Sequence, residues 1–122
     1  MSMELTDRLQ EIVELSLLYD FYGELLKDSQ KPIFEDYVLN NLSLGEIADG
    51  AGISRQGVYD IVKRCSKQLR GYEERLHLLE RFNRARECIR RIEEIAQDIE
   101  AGAQPAGVSE IKKLAGELLQ EL

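Results

Sequence analysis

The stretch SLGEIADGAGISRQGVYDI, residues 43–61, carries the strongest structural signal in this chain. Ser43, followed three residues later by Glu46, forms the capping-box pattern that marks the start of a helix. Gly52 can adopt the positive φ that a tight turn needs, and Ser54 is a favourable N-cap for a second helix. Two short helical signals separated by such a turn predict a helix-turn-helix.

The apolar residues in this stretch support the same arrangement. Ile47 and Ala48 lie on the first helix, and Val58 and Ile61 lie four and seven positions after the N-cap of the second. At a period of 3.6 residues, these side chains point from each helix toward the other. We expect the helix-turn-helix to occupy about residues 43–69.

Apolar residues elsewhere also recur at intervals of three and four, and no segment shows the alternation of a strand. The sequence therefore predicts an all-α fold with an N-terminal helix, a helix-turn-helix and a long C-terminal helix. The expected divisions are a helical domain over 1–70, a long basic-then-acidic helix over 71–101, a linker over 102–108 and a short helix over 109–122.

The composition excludes several functional classes. The two cysteines, Cys65 and Cys88, match no metal-binding spacing, and His77 is the one histidine among 122 residues. The sequence contains no phosphate loop and no nucleophile elbow, so we expect a non-enzymatic protein without a metal or cofactor. It shows no signal peptide and no run of 18 apolar residues. We expect a cytoplasmic protein with reduced thiols and no membrane span.

Charge is distributed unevenly along the chain. The formal net charge is −7, yet the stretch from Ser54 to Arg91 holds eleven basic and five acidic residues, a local charge of +6. The rest of the chain therefore carries −13. This asymmetry indicates either a local basic surface on an acidic body or an ordinary solvated helix face.

The second helix of the predicted helix-turn-helix supplies the candidate binding residues. Its N-terminus with Ser54 can hold a phosphate, while Arg55 suits guanine edges and Gln56 suits adenine edges. Asp60 is unfavourable on such a face. A helix-turn-helix that serves only as a folding unit or protein dock is the alternative. The candidate nucleic-acid-binding residues are Ser54, Arg55, Gln56, Tyr59, Lys63, Arg64 and Lys67.

Several separated blocks of sequence resemble the YlxM family, small bacterial helix-turn-helix proteins associated with the signal recognition particle. The helix-turn-helix is also similar to the fourth region of bacterial sigma factors. The sequence departs from these patterns at Gly45 and Gly57, where alanine is expected. The matching blocks are residues 18–26, 43–48, 52–60 and 72–79.

The resemblance implies an accessory or regulatory role beside the particle's GTPase or its RNA. Two alternatives remain open: a dimeric, sigma-like reader of duplex DNA, and a purely structural adaptor. The first helix, over about residues 5–27, has more apolar positions than one helix face can bury, so we expect a homodimer.

Overall fold

Six α-helices make up the regular structure in the computed structural model, which describes residues 5–102 and 107–121. A single 3₁₀ turn, Gly23–Leu25, follows the first helix, and these ranges contain no strand. The predicted all-α fold is confirmed. The helices are α1 (Leu5–Tyr22), α2 (Lys31–Val38), α3 (Leu44–Ala51), α4 (Arg55–Leu76), α5 (Leu78–Glu100) and α6 (Gly107–Glu121).

The capping and turn signals produce the expected helix-turn-helix from α3 and α4. The Glu46 amide donates to Ser43 Oγ and the Ser43 amide donates to Glu46 Oε1, both over 3.1 Å. Gly52 has a φ of 69°, which only glycine adopts without cost. The Gly57 amide then donates to Ser54 Oγ over 3.0 Å and caps α4. Each of these local predictions is confirmed.

The first of two compact units ends at His77, and α4 packs against α1, α2 and α3 within it. Val58, Cys65 and Leu69 on the inner side of α4 are fully buried. Burial raises the pKa of the Cys65 thiol, which donates to Gln30 Oε1 over 3.5 Å. The other helices supply the rest of this core, including Leu15, Leu18, Tyr22, Phe34, Val38 and Ile47.

The first unit extends beyond the boundary that was expected after residue 70. The Arg70 guanidinium pairs with Glu11 and Glu14 on α1, and the Tyr22 hydroxyl donates to Glu73 Oε1 over 2.6 Å. These contacts hold the second half of α4 against α1.

The long helix expected over 71–101 is divided in the structure at His77, whose φ is 56°. The His77 amide donates to Glu73 O and ends α4. Histidine is among the few residues besides glycine that are enriched in this left-handed conformation. Because neither glycine nor proline marks this turn, the sequence pattern did not predict it.

The second unit begins at Leu78 and contains α5 and α6 as an antiparallel hairpin. Near the start of α6, Glu110 lies 3.3 Å from Arg91, whereas Glu121 near its end lies 3.7 Å from Arg84. The last helix was expected over 109–122, but Gly107 is already helical, so α6 begins within the predicted linker 102–108. Residues 103–106 of that linker lie outside the described residues. No helix in the described ranges is both long and apolar enough to cross a membrane.

Candidate nucleic-acid interface

The helix α4 separates a buried side from a polar side. Val58, Val62, Cys65 and Leu69 recur at intervals of three and four and face the core. Because these positions fix the inner side of the helix, the intervening positions project outward. All seven candidate residues are exposed: Ser54, Arg55, Gln56, Tyr59, Lys63, Arg64 and Lys67.

In the first turn of α4, one side chain that was expected to bind a base is already hydrogen-bonded within the helix. Ser54 Oγ accepts the Gly57 amide and caps the helix, and Arg55 is exposed beside it. Gln56 Nε2 donates to Asp60 Oδ1 over 3.0 Å. The amide that was expected to bind an adenine edge is therefore engaged by a carboxylate on the next turn.

Four cations between Arg55 and Lys67 on α4 lack an ion-pair partner in the part of the chain that the structure describes. Arg55, Lys63, Arg64 and Lys67 have no carboxylate within 4.0 Å there, whereas Arg70 is paired with α1. The four span twelve positions, about 18 Å along the helix axis. Exposed cations without partners are available to phosphate groups and make binding dependent on salt.

A groove of about 670 Å³ runs along α4 and is also lined by residues of α1, α2 and α3. We call it the α4 groove, and its lining residues are Arg8, Glu11, Tyr37, Leu44, Tyr59, Val62, Lys63, Ser66, Lys67, Arg70, Gly71 and Glu74. A smaller cavity of about 410 Å³ adjoins it and shares Leu44 and Tyr59, together with Arg55 and Gln56. Neither cavity is lined by Asp60 or Arg64.

Two tyrosines give the α4 groove aromatic walls. Tyr59 is 45% exposed, and Lys63 Nζ lies 5.9 Å from the centre of its ring. Tyr37 is half-buried on α2. Burial raises the pKa of the Tyr37 hydroxyl, Glu11 raises it further and Arg8 opposes the shift. A tyrosine hydroxyl is protonated at neutral pH even at its ordinary pKa of about 10, so this one can donate a hydrogen bond.

The sequence prediction missed the part of the groove that comes from other helices. Arg8, Tyr37 and Leu44 join α4 only because α1, α2 and α3 pack around it. In the sequence, a tyrosine at an otherwise apolar helix position could have indicated this part of the groove, because its hydroxyl needs water or a polar partner.

The sequence of this chain matches a known protein family. A family of helix-turn-helix proteins described as YlxM / p13 like matches residues 9–105. The chain belongs to this family. The match includes α2, α3, α4 and α5 in full, so the resemblance seen in the separated sequence blocks is confirmed.

Individual members of the YlxM family are similar over most of the chain. A UPF0122 protein of Thermoanaerobacter sp. (strain X514) is 44% identical over 108 residues, which is 88% of this chain and 90% of that protein. One from Caldanaerobacter subterraneus is 51% identical over 85 residues, or 70% of each chain. The YlxM protein of Bacillus subtilis (strain 168) is 42% identical over 88 residues, 72% of this chain and 80% of that protein.

Proposed function

We propose that this protein is a non-enzymatic, cytoplasmic accessory protein of the signal recognition particle pathway and that it binds the particle's RNA through α4. The observation that carries this proposal is the row of exposed cations Arg55, Lys63, Arg64 and Lys67, none of which has an ion-pair partner among the described residues. The YlxM-family resemblance supplies the particle as the partner to test first. The particle's GTPase is the other partner of this pathway.

Binding of the particle's RNA by the full chain tests this proposal, using a labelled RNA and salt from 50 to 200 mM. Each phosphate contact adds about −0.7 to −0.9 to the slope of log K against log salt. Replacing Lys63 and Lys67 together by glutamine should make this slope shallower by about 1.4 to 1.8. At near-physiological salt, we expect an affinity loss of roughly tenfold or more.

Lys112 and Lys113 provide the matched control, because both are exposed on α6 in the second unit. Their double glutamine variant removes the same charge and should keep the wild-type affinity within about twofold. The proposal fails if the wild-type chain does not bind the RNA at near-physiological salt, or if both double variants lose the same affinity. Capture of the GTPase alone from a nuclease-treated lysate would assign the role to a protein contact instead.

A dimeric reader of duplex DNA is the second candidate function. Leu5, Leu9 and Val13 form an apolar stripe on α1 and are 72%, 54% and 59% exposed, which gives a homodimer a surface to bury. Arg55 is exposed at the start of α4, where a helix-turn-helix contacts base edges.

Two measurements test this candidate. Light scattering at micromolar concentration should give twice the chain mass of 14.0 kDa, and Leu9→Lys should return it to the monomer mass. If α4 reads DNA, Arg55→Ala should weaken binding to a selected duplex by roughly 1–3 kcal/mol and relax its sequence preference. Equal binding of selected and random duplexes contradicts a reading role.

A further inference from the structure

The α4 groove combines aromatic rings with two cations, Lys63 and Lys67, that have no ion-pair partner in the described ranges. We infer that this groove binds a short single-stranded segment of RNA, with a base stacked on Tyr59 and phosphates held by Lys63 and Lys67. The inference rests on the proposed function and deepens it, because it specifies the form of RNA that the protein recognises.

The distribution of charge around α4 favours the groove over the outermost face of the helix. Asp60 lies almost opposite the buried side of α4 and keeps its carboxylate there through the bond from Gln56. A carboxylate at the centre of a docking face repels the phosphates on either side of it. Lys63 and Lys67 line the groove, one and two turns beyond Tyr59. The groove also contains two carboxylates, Glu11 and Glu74, but four basic residues line it, so its net charge is positive.

Stacking surfaces lie beside these cations. The Tyr59 ring is about half exposed and lines both the α4 groove and the smaller cavity next to it. Tyr37 on α2 lines the groove from another helix and has a hydroxyl that can donate to a base or a sugar. Proteins that bind single strands combine a basic groove with aromatic rings in this way.

The shape of the groove also favours a single strand. Its volume of about 670 Å³ lies within the usual range of ligand sites, and residues from four helices line it. Side chains cannot read the deep, narrow major groove of A-form RNA, so protruding α4 residues would gain little from a duplex. Unpaired bases can instead be splayed out and stacked on aromatic side chains.

Fluorescence anisotropy with two labelled RNAs tests the inference on the full chain. One probe is a single strand of about twelve nucleotides without self-complementarity, and the other is the duplex of the same sequence. We expect the single strand to bind at least about tenfold more tightly. Tyr59→Leu should weaken its binding by about tenfold, whereas Tyr59→Phe should stay within about twofold because the ring is kept.

Lys63 and Lys27 form a matched pair of exposed lysines in the first unit, of which only Lys63 lines the groove. Lys63→Gln should weaken single-strand binding about fivefold, and Lys27→Gln less than twofold. The tyrosine signals in near-ultraviolet circular dichroism check that each variant is folded.

The possible outcomes separate the inference from the proposed function. The inference is overturned, while the proposed function stands, if the duplex binds as tightly as the single strand. Equal losses for Lys63→Gln and Lys27→Gln, or an unchanged affinity of Tyr59→Leu, also overturn it. If neither these probes nor the particle's RNA bind at near-physiological salt, the proposed function fails and the inference fails with it.

Discussion

Replacing Leu69 by alanine should lower the free energy of unfolding of the first unit by about 2–5 kcal/mol. Leu69 is fully buried on α4, the helix that packs against α1, α2 and α3. Truncating its side chain removes apolar contacts to this core and leaves a cavity that tightly packed neighbours can fill only in part. Because marginal stability is typical of small domains, much of the unit's stability would be lost.

Leu39 offers a matched control, since it directly follows α2 and is 50% exposed. Leu39→Ala makes the same chemical change and should cost less than about 1 kcal/mol. All five tyrosines lie between residues 19 and 72, so near-ultraviolet circular dichroism during urea unfolding reports on the first unit. Equal costs for the two variants would contradict the position of Leu69 in the core.

Replacing Gly107 by alanine should destabilise the second unit by about 1–3 kcal/mol. A Cβ atom at this position would lie 2.6 Å from Cγ2 of Ile95, far inside normal contact distance. Ile95 is buried and β-branched, so its methyl group cannot simply rotate away. The start of α6 would have to move away from α5, which loosens the hairpin.

Gly116 is the control for this change, because it lies on the same helix with open space around its Cα atom. Gly116→Ala should stabilise α6 by up to about 1 kcal/mol, since alanine favours the helix. Hydrogen exchange of α5 and α6 amides measures both variants within the second unit. The predicted effects have opposite signs, so a gain of protection in Gly107→Ala would refute the close contact with Ile95.

The start of α4 could be predicted from the sequence, whereas its end could not. Its start was predicted correctly because Ser54 caps the helix through the amide three residues later. Its end was missed because neither glycine nor proline marks the turn at His77. The pairs of Arg70 with Glu11 and Glu14 are also invisible to a local analysis, since more than 50 residues separate these partners.

The α4 side of the candidate site follows from the local sequence, whereas the rest of the α4 groove does not. Arg55, Tyr59 and Lys63 lie on the exposed side of α4, which agrees with helical periodicity, and their role in binding stays a prediction. A spacing of four residues brings the side chains of Gln56 and Asp60 within reach of each other on α4. Because each side chain has several rotamers, the hydrogen bond between them is seen only in the structure. The contributions of α1, α2 and α3 to the α4 groove required knowledge of how these helices pack.

Short-range signals were enough to predict the all-α fold and the helix-turn-helix, because capping bonds, turn conformation and helical periodicity act between residues at most a few positions apart. They could not predict the turn at His77, the contact between Gly107 and Ile95, or the shape of the α4 groove. The last two arise from side chains far apart in the chain, and at His77 neither glycine nor proline marks the turn. Their geometry is set when the cores pack and not by local conformational preference.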